Sequence, residues 1–446
     1  MASMTQEFSN PDSMDEAIWR APEADSHVTP GEIAVGVVIG RTAEYFDFFV
    51  YGLASVLVFP TVFFPHKDTV EALLLSFVIF SLAFLARPLG TVLFMHLQRR
   101  WGRSGKLAVA MVLLGTATVS MGFLPDYATA GGTAILLLVI LRTLQGIAVG
   151  GSWDGLPSLL AINAPPSRRG WYAMLGQLGA PVGFVLAGGL FLYLNGTLSK
   201  TDFVDWGWRY PFFVAFSINV VALFARLRLV VAEDFSAMLQ KSELEPTNAK
   251  ELINAQSGNI LIGAFSGLAT YALFHLVTIF PLSWVPLGMV ETESEVLTVQ
   301  LAGAVLAIIA IIVSGFIADR IGRARTLGGV ALLIGVFSLA IPGLLSGGAA
   351  AQNTFILVGF ILLGLSYGQS HGVVSGSFLR RYRYTGAALT ADIGWLLGAG
   401  FAPLVALGLA VKFGTAAVGA YVMSGVICTL IALWMYNKKT IGSIEN

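Results

Sequence analysis

Three ionisable side chains, Arg41, Glu44 and Asp47, fall within seven residues of the stretch GRTAEYFDFFVYG (40–52), and both flanks, VTPGEIAVGVVI and LASVLVFP, are apolar. An ionised group at membrane depth is costly and marks a functional site by default, because it must face a partner or a water-filled cavity. At 100° per residue Glu44 and Tyr51 lie within about 20° of each other and Asp47 about 60° away, so they share one helix face near mid-span. Desolvation there penalises a charged carboxylate and favours proton uptake, whereas a nearby guanidinium favours release. Moving that guanidinium, or binding a substrate to it, would then capture or free a proton. Arg142 is the candidate guanidinium. It lies about ten residues into another apolar run, with Gln145, Gly146, Val149 and Trp153 following on its face. The alternative is a static buried ion pair that only joins two helices. Arg41 has two comparable choices, a pair with Glu44 one turn on or a side chain reaching to the membrane surface.

Further polar groups sit in apolar runs. Arg87 precedes Pro88 and Gly90, where a structural role at a helix end competes with substrate contact. Asp392 supplies a second buried acid for proton coupling, and Asp154 a third. His275 and His371 are candidates for binding an anion or relaying protons, although a lone histidine on an apolar helix is often only hydrogen-bonded in place. Tyr51, Tyr271, Gln369 and Trp395 are candidate pocket walls, against the ordinary use of aromatics in packing.

The elements that must carry these residues are membrane spans. The 446 residues are 56% hydrophobic and 12% charged, against about 25% charged in soluble domains. Runs long enough to cross a bilayer fall near 33–59, 71–97, 105–124, 133–163, 170–194, 209–230, 258–288, 297–317, 326–346, 354–378, 386–411 and 415–436. With the N-terminus placed in the cytoplasm, eighteen Lys and Arg residues fall in connections on that side and four on the other. The charge bias places both termini in the cytoplasm. Residues 1–30 are polar and acidic, without the basic start and apolar core of a secretory signal, and read as a disordered cytoplasmic tail. With zero net charge and no basic stripe, nucleic acid is not an expected partner. The single cysteine, Cys428, excludes a disulfide framework and a cysteine metal site. No nucleophile–base set, metal cluster or phosphate loop occurs at meaningful spacing, so neither enzyme activity nor a cofactor or metal is expected.

The polar stretch 231–256 divides the spans six and six, giving bundles at 31–230 and 257–437 and a cytoplasmic tail at 438–446. RRWGR at 99–103 matches DRIGR at 319–323 at an offset of 220 residues, and each follows the second span of its half. Parallel six-helix repeats are the architecture of a rocking transporter with its site between the halves.

GFIADRIGRARTL (315–327) carries a complete G-x-x-x-D-R-x-G-R core and resembles the loop motif of the major facilitator superfamily. AEYFDFFVYG, ARPLG (86–90), RTLQGIAVGG (142–151), GQLGAPVG (176–183), WGWRYPF (206–212) and RYTGA (383–387) are similar to its metabolite:proton symporter family, over nearly all of residues 30 to 437. The resemblance implies an all-α membrane protein with the twelve-helix, two-bundle fold. It also implies a span-1 acid paired with a span-4 arginine, here Asp47 or Glu44 with Arg142, as the coupling element. Against the family pattern Asp392 replaces a usual Asn, Asp154 a usual Gly and Ser152 a usual Glu. In the first-half loop Arg99 stands at the place of Asp319, and Met95 at that of Gly315. In relatives the loop acid pairs with basic residues and a helix N-terminus to shut the cytoplasmic side. The gating set is therefore Arg99, Arg100, Arg103, Asp319, Arg320 and Arg323, with the sign of the first-half acid reversed. GSFLRRYRYTGA further lacks the family's Glu and Pro, so the chain reads as a divergent member.

The expectation is a monomeric secondary transporter of the bacterial inner membrane, moving a small metabolite with protons. Arg41, Arg87 and Arg142 tilt the substrate toward an organic anion such as a mono- or dicarboxylate. Alternatives are uptake of a zwitterionic osmolyte, proton-driven efflux of a small hydrophobic compound, or a membrane receptor that keeps the fold without transport.

Overall fold

A computed structural model describes residues 30–152, 164–231, 245–371 and 378–442. Trp153, Asp154, residues 232–244 of the linker, the N-terminal tail through residue 29 and the last four residues lie outside the described residues.

In hydrocarbon every backbone N–H and C=O must be satisfied within its own segment, which makes helices the available solution for these apolar runs. The helices are α1 (Pro30–Leu57), α2 (69–101), α3 (103–121), α4 (Gly132–Gly151), α5 (Arg169–Thr197) and α6 (Tyr210–Val231) in the first half. The second half holds α7 (Ala249–Thr278), α8 (Glu293–Ile321), α9 (Arg323–Ser346), α10 (Ala349–Ser370), α11 (Arg383–Phe413) and α12 (Thr415–Gly442). Ten described stretches are long and apolar enough to span a bilayer. Dividing Thr69–Met121 at Gly102, and adding the 28-residue α1 with its three central charges, gives twelve.

The internal repeat is visible in the backbone. Gly102 (φ 72°) and Gly322 (φ 88°), separated by the same 220 residues as the matching loop motifs, both take a positive-φ conformation that lets the chain reverse into the next span. The helix starts are capped. Asp68 accepts from the amide of Glu71 ahead of α2, and Thr292 forms a capping box with Glu295 ahead of α8.

Within the first half α1 packs on α5 and α6, and α2 on α4; within the second, α8 packs on α10 and α9 on α12. Contact with α1 is close because Gly179 and Gly183 of the GQLGAPVG motif leave room for it: a Cβ on Gly179 would stand 2.6 Å from Cβ of Arg41. Three helical segments are interrupted along their spans. α5 loosens at 176–178, α7 breaks at Ile279 before continuing as Phe280–Gly288, and α11 contains a π turn at Leu396–Gly400. Such breaks occur often at functional sites.

The two halves meet along their length, chiefly α5 against α8 and α2 against α11. Near the ends that carry the loop motifs, Tyr384 donates to Gln98; at the opposite end Asn195 donates to Ser294, 3.1 Å away. Between these ends lies a narrow void lined by Phe49, Phe184, Phe274, Phe360, Tyr367 and Thr278, among others.

Candidate functional site

Asp47 on α1 and Arg142 on α4 are joined through one amide. Gln145 donates from Nε2 to Asp47 Oδ2 at 3.0 Å and to the Thr118 hydroxyl at 2.9 Å, and its Oε1 accepts from Arg142 at 2.5 Å. Arginine can only donate and an ionised carboxylate only accept, so the amide orientation is assigned from its partners. Asn219 of α6 reaches the other Asp47 oxygen at 3.4 Å. The Arg142 guanidinium also donates to the carbonyl of Phe80 from both Nε and Nη2, and it lies 3.7 Å from the centre of the Tyr51 ring. Tyr51 is thus a stacking partner of the arginine. Asp47 and Arg142 are each 1% exposed.

Glu44 pairs with Arg41, one of the expected choices, and not with Arg142, and it gains Arg226 as a second partner. Its two carboxylate oxygens hold Arg41 at 2.7 Å and Arg226 of α6 at 2.6 Å. Arg41 therefore pairs one turn away instead of reaching the surface, and its guanidinium also faces the Tyr45 ring at 5.5 Å. Arg226, near the end of the span read at 209–230, is buried inside α6 at 3% exposure.

A second acid–base pair crosses the halves. Arg87 Nε stands 2.7 Å from Asp392 Oδ1, and the Thr91 hydroxyl donates to Oδ2 at 2.5 Å. Above it the Tyr45 and Tyr367 hydroxyls meet across the same interface, and Trp395 packs against Tyr45, Phe84, Phe274 and Tyr271.

His275 is fully enclosed. It stacks on Phe48 with ring centres 5.3 Å apart and meets Phe80, Phe84 and Phe274 edge-on. His371 contacts Ser370 through Nδ1, while Tyr271 and Tyr367 meet its ring edge-on. The Nε2 atoms of both histidines are buried without a hydrogen-bond partner. Gln369 receives Arg323 at 3.2 Å and donates to the Gly170 carbonyl; Arg323 also donates to the His371 carbonyl.

At the loop motifs, Asp319 Oδ1 accepts from the amides of Gly170 at 2.7 Å and Trp171 at 3.3 Å, at the start of α5. Arg320 and Arg100 are exposed. Arg99 donates to the Thr247 carbonyl at 3.1 Å, and Arg103 directly follows the Gly102 turn.

Sequence reasoning missed Arg226, Asn219, Thr118, Thr91, Tyr45 and Tyr367. A signal existed for two of them: Asn219 and Arg226 are seven residues, two helical turns, apart, so they share the face of α6 that meets α1.

The model of a family described as sugar (and other) transporters matches residues 33–254. The inner membrane metabolite transport protein YhjE of Escherichia coli (strain K12) is 35% identical over 413 residues, 91% of this chain and 94% of that protein. The chain belongs to the metabolite transporters of the major facilitator superfamily. It is a multi-pass membrane transporter and not an enzyme. Another relative in this superfamily, the shikimate transporter of the same organism, is 30% identical over 91% of this chain and 94% of its own length. The crystal structure of a D-xylose-proton symporter matches with a TM-score of 0.67 at 19% identity, over 90% of this chain and 96% of that one, a likeness of fold. Of the candidate acids, Asp392 lies where the two halves meet, whereas Asp47 and Glu44 bond to partners within the first half.

Proposed function

We propose that the chain is a proton-coupled symporter of a small organic anion, working by alternating access in the bacterial inner membrane with both termini in the cytoplasm. The observation that carries this reading is the Gln145 amide, which ties Asp47 to Arg142 without a direct contact between them. Protonation weakens the hold of Asp47 on the Gln145 amide nitrogen and gives Asp47 a hydrogen that Gln145 can accept only through the Oε1 now holding Arg142, so the proton and the arginine are linked through one side chain. The six-helix bundles, 31–230 and 257–437, rock about the interface where Arg87 meets Asp392.

Arg41 is the arginine best placed to meet the substrate. Glu44 holds Arg226 as well, so Arg41 can turn to an anion without stranding a buried carboxylate. A shikimate transporter among the relatives is in keeping with a carboxylate cargo. The protein is proposed to act as a monomer in the bilayer.

The test is uptake into proteoliposomes with an imposed pH gradient. Wild-type protein accumulates substrate, and Asp47→Asn abolishes accumulation while sparing exchange. Concentrative uptake by Asp47→Asn sinks the assignment of Asp47. The apolar, aromatic lining of the central void favours a second reading, efflux of a hydrophobic compound; reversing the imposed gradient separates the two directions.

A further inference from the structure

His275 is a buried polar side chain whose environment the coupling relay does not explain. It is 0% exposed, and its ring is surrounded by Phe48, Phe80, Phe84, Phe274 and Trp395. The Thr278 hydroxyl donates its hydrogen to the Phe274 carbonyl at 2.8 Å, and the same oxygen lies 3.3 Å from His275 Nδ1. With the hydroxyl's one hydrogen assigned to the shorter bond, to the Phe274 carbonyl, its oxygen is an acceptor toward Nδ1, and Nδ1 is assigned the proton. In the neutral imidazole so assigned, Nε2 is a bare lone pair. That lone pair has no partner and points among carbon atoms. A buried acceptor left unpaired costs free energy, and native proteins retain one where something uses it. A water molecule needs two or more polar partners to stay in such a place, and aromatic rings supply none.

We propose that His275 Nε2 is the acceptor that reads a hydrogen-bond donor, a hydroxyl or N–H, on the apolar body of the transported anion. A lone pair repels a carboxylate, so His275 does not hold the anionic group itself. The proposed anion partner, Arg41, faces the Tyr45 ring at 5.5 Å, and Tyr45 packs against Phe274 and Trp395, two rings that also meet His275. The void lined by Phe49, Phe274 and Thr278, the last two also in contact with His275, gives the carbon skeleton an apolar home. His275 is a specificity-determining residue on this reading. It rests on the proposed function only for the bound anion's being cargo.

The experiment measures binding of matched carboxylates to the full chain in detergent, by the shift of thermal midpoint with concentration. The pairs are lactate and propionate, 3-hydroxybutyrate and butyrate, and 4-hydroxybenzoate and benzoate. For at least one pair the hydroxylated acid binds wild-type protein more tightly by about tenfold or more, as for sites built to pair a substrate hydroxyl. His275→Phe, which keeps an aromatic ring in place but has no acceptor, brings that ratio close to one. Thr278→Val releases the tautomer without touching the imidazole and lowers the ratio in the same direction, which keeps the test decisive if His275→Phe does not fold. No discriminating pair in the wild type, or an unchanged ratio in the variants, overturns the proposal. Discriminating binding without proton-driven uptake sinks the symport reading and leaves this one standing; proton-driven uptake without discrimination does the reverse.

Discussion

Arg87 of α2 and Asp392 of α11, 305 residues apart in sequence, form an ion pair of 2.7 Å across the two halves of the molecule. Thr91, one turn from Arg87, holds the other carboxylate oxygen. The pair is buried, with side-chain exposures of 13% and 3%. Taking both charges out of water offsets most of their attraction, so the pair adds little stability, but stranding one partner is expensive.

The first prediction follows from that asymmetry. Arg87→Met and Asp392→Leu each lower the stability of the full chain by about 3 kcal/mol, because each leaves a single buried charge. The double variant recovers most of the loss, since neither charge remains. A thermal double-mutant cycle in detergent measures this, and additive losses would refute it.

The second concerns Gln145. Gln145→Leu removes its bonds to Asp47, Arg142 and Thr118, leaving Asp47 with Asn219 and Arg142 with the Phe80 carbonyl. Each buried group left short of a partner costs about 1–3 kcal/mol. Proton-driven uptake falls by about tenfold or more, which corresponds to roughly 1.4 kcal/mol. Exchange at equal pH is affected less. Equal losses in both assays would make Gln145 a structural residue only.

A third prediction tests the repeat. Ala at Gly102 or Gly322 must adopt a positive-φ, extended-ψ backbone that is essentially glycine's alone, at a cost of about 1–3 kcal/mol each. Gly189 lies in α5 with open space where its Cβ would be. Gly189→Ala therefore raises stability by about 0.5–1 kcal/mol. Thermal midpoints of the three variants should move in these opposite directions.

Twelve spans were legible because the bilayer demands runs of about twenty apolar residues and the chain supplies them. Arg41, Glu44, Asp47, Arg142 and Gln145 stood out because polar residues are rare in such runs. Their partners did not. A helix that is apolar all round carries no periodicity to say which face meets which neighbour, so Arg87 with Asp392 could not be paired in advance. Arg226 was hidden for another reason. A basic residue near a span end ordinarily reaches to the surface, and only the approach of α6 to Glu44 turns this one inward. The role of His275 depends on where a single hydroxyl hydrogen of Thr278 points, which residue types and spacing do not encode.

The last prediction separates the two loop motifs. Asp319 accepts two backbone amides at the start of α5, joining α8 of one half to α5 of the other with the favourable charge for a helix N-terminus. Hydrogen bonds to a charged group are worth about 1.5–3 kcal/mol, so Asp319→Ala shifts the closed state toward opening at that end by about tenfold or more. Arg99, at the equivalent place in the first half, is exposed and makes one bond to the Thr247 carbonyl. Its removal frees groups that water can satisfy, and Arg99→Ala changes the same equilibrium little. A cysteine placed at Met174, which lies against Gly315 between the halves, reports the opening when Cys428 is replaced by Ser. Its labelling by a water-soluble thiol reagent rises with Asp319→Ala and stays near the parent rate with Arg99→Ala. If the two variants label alike, the latch does not reside in the second-half loop.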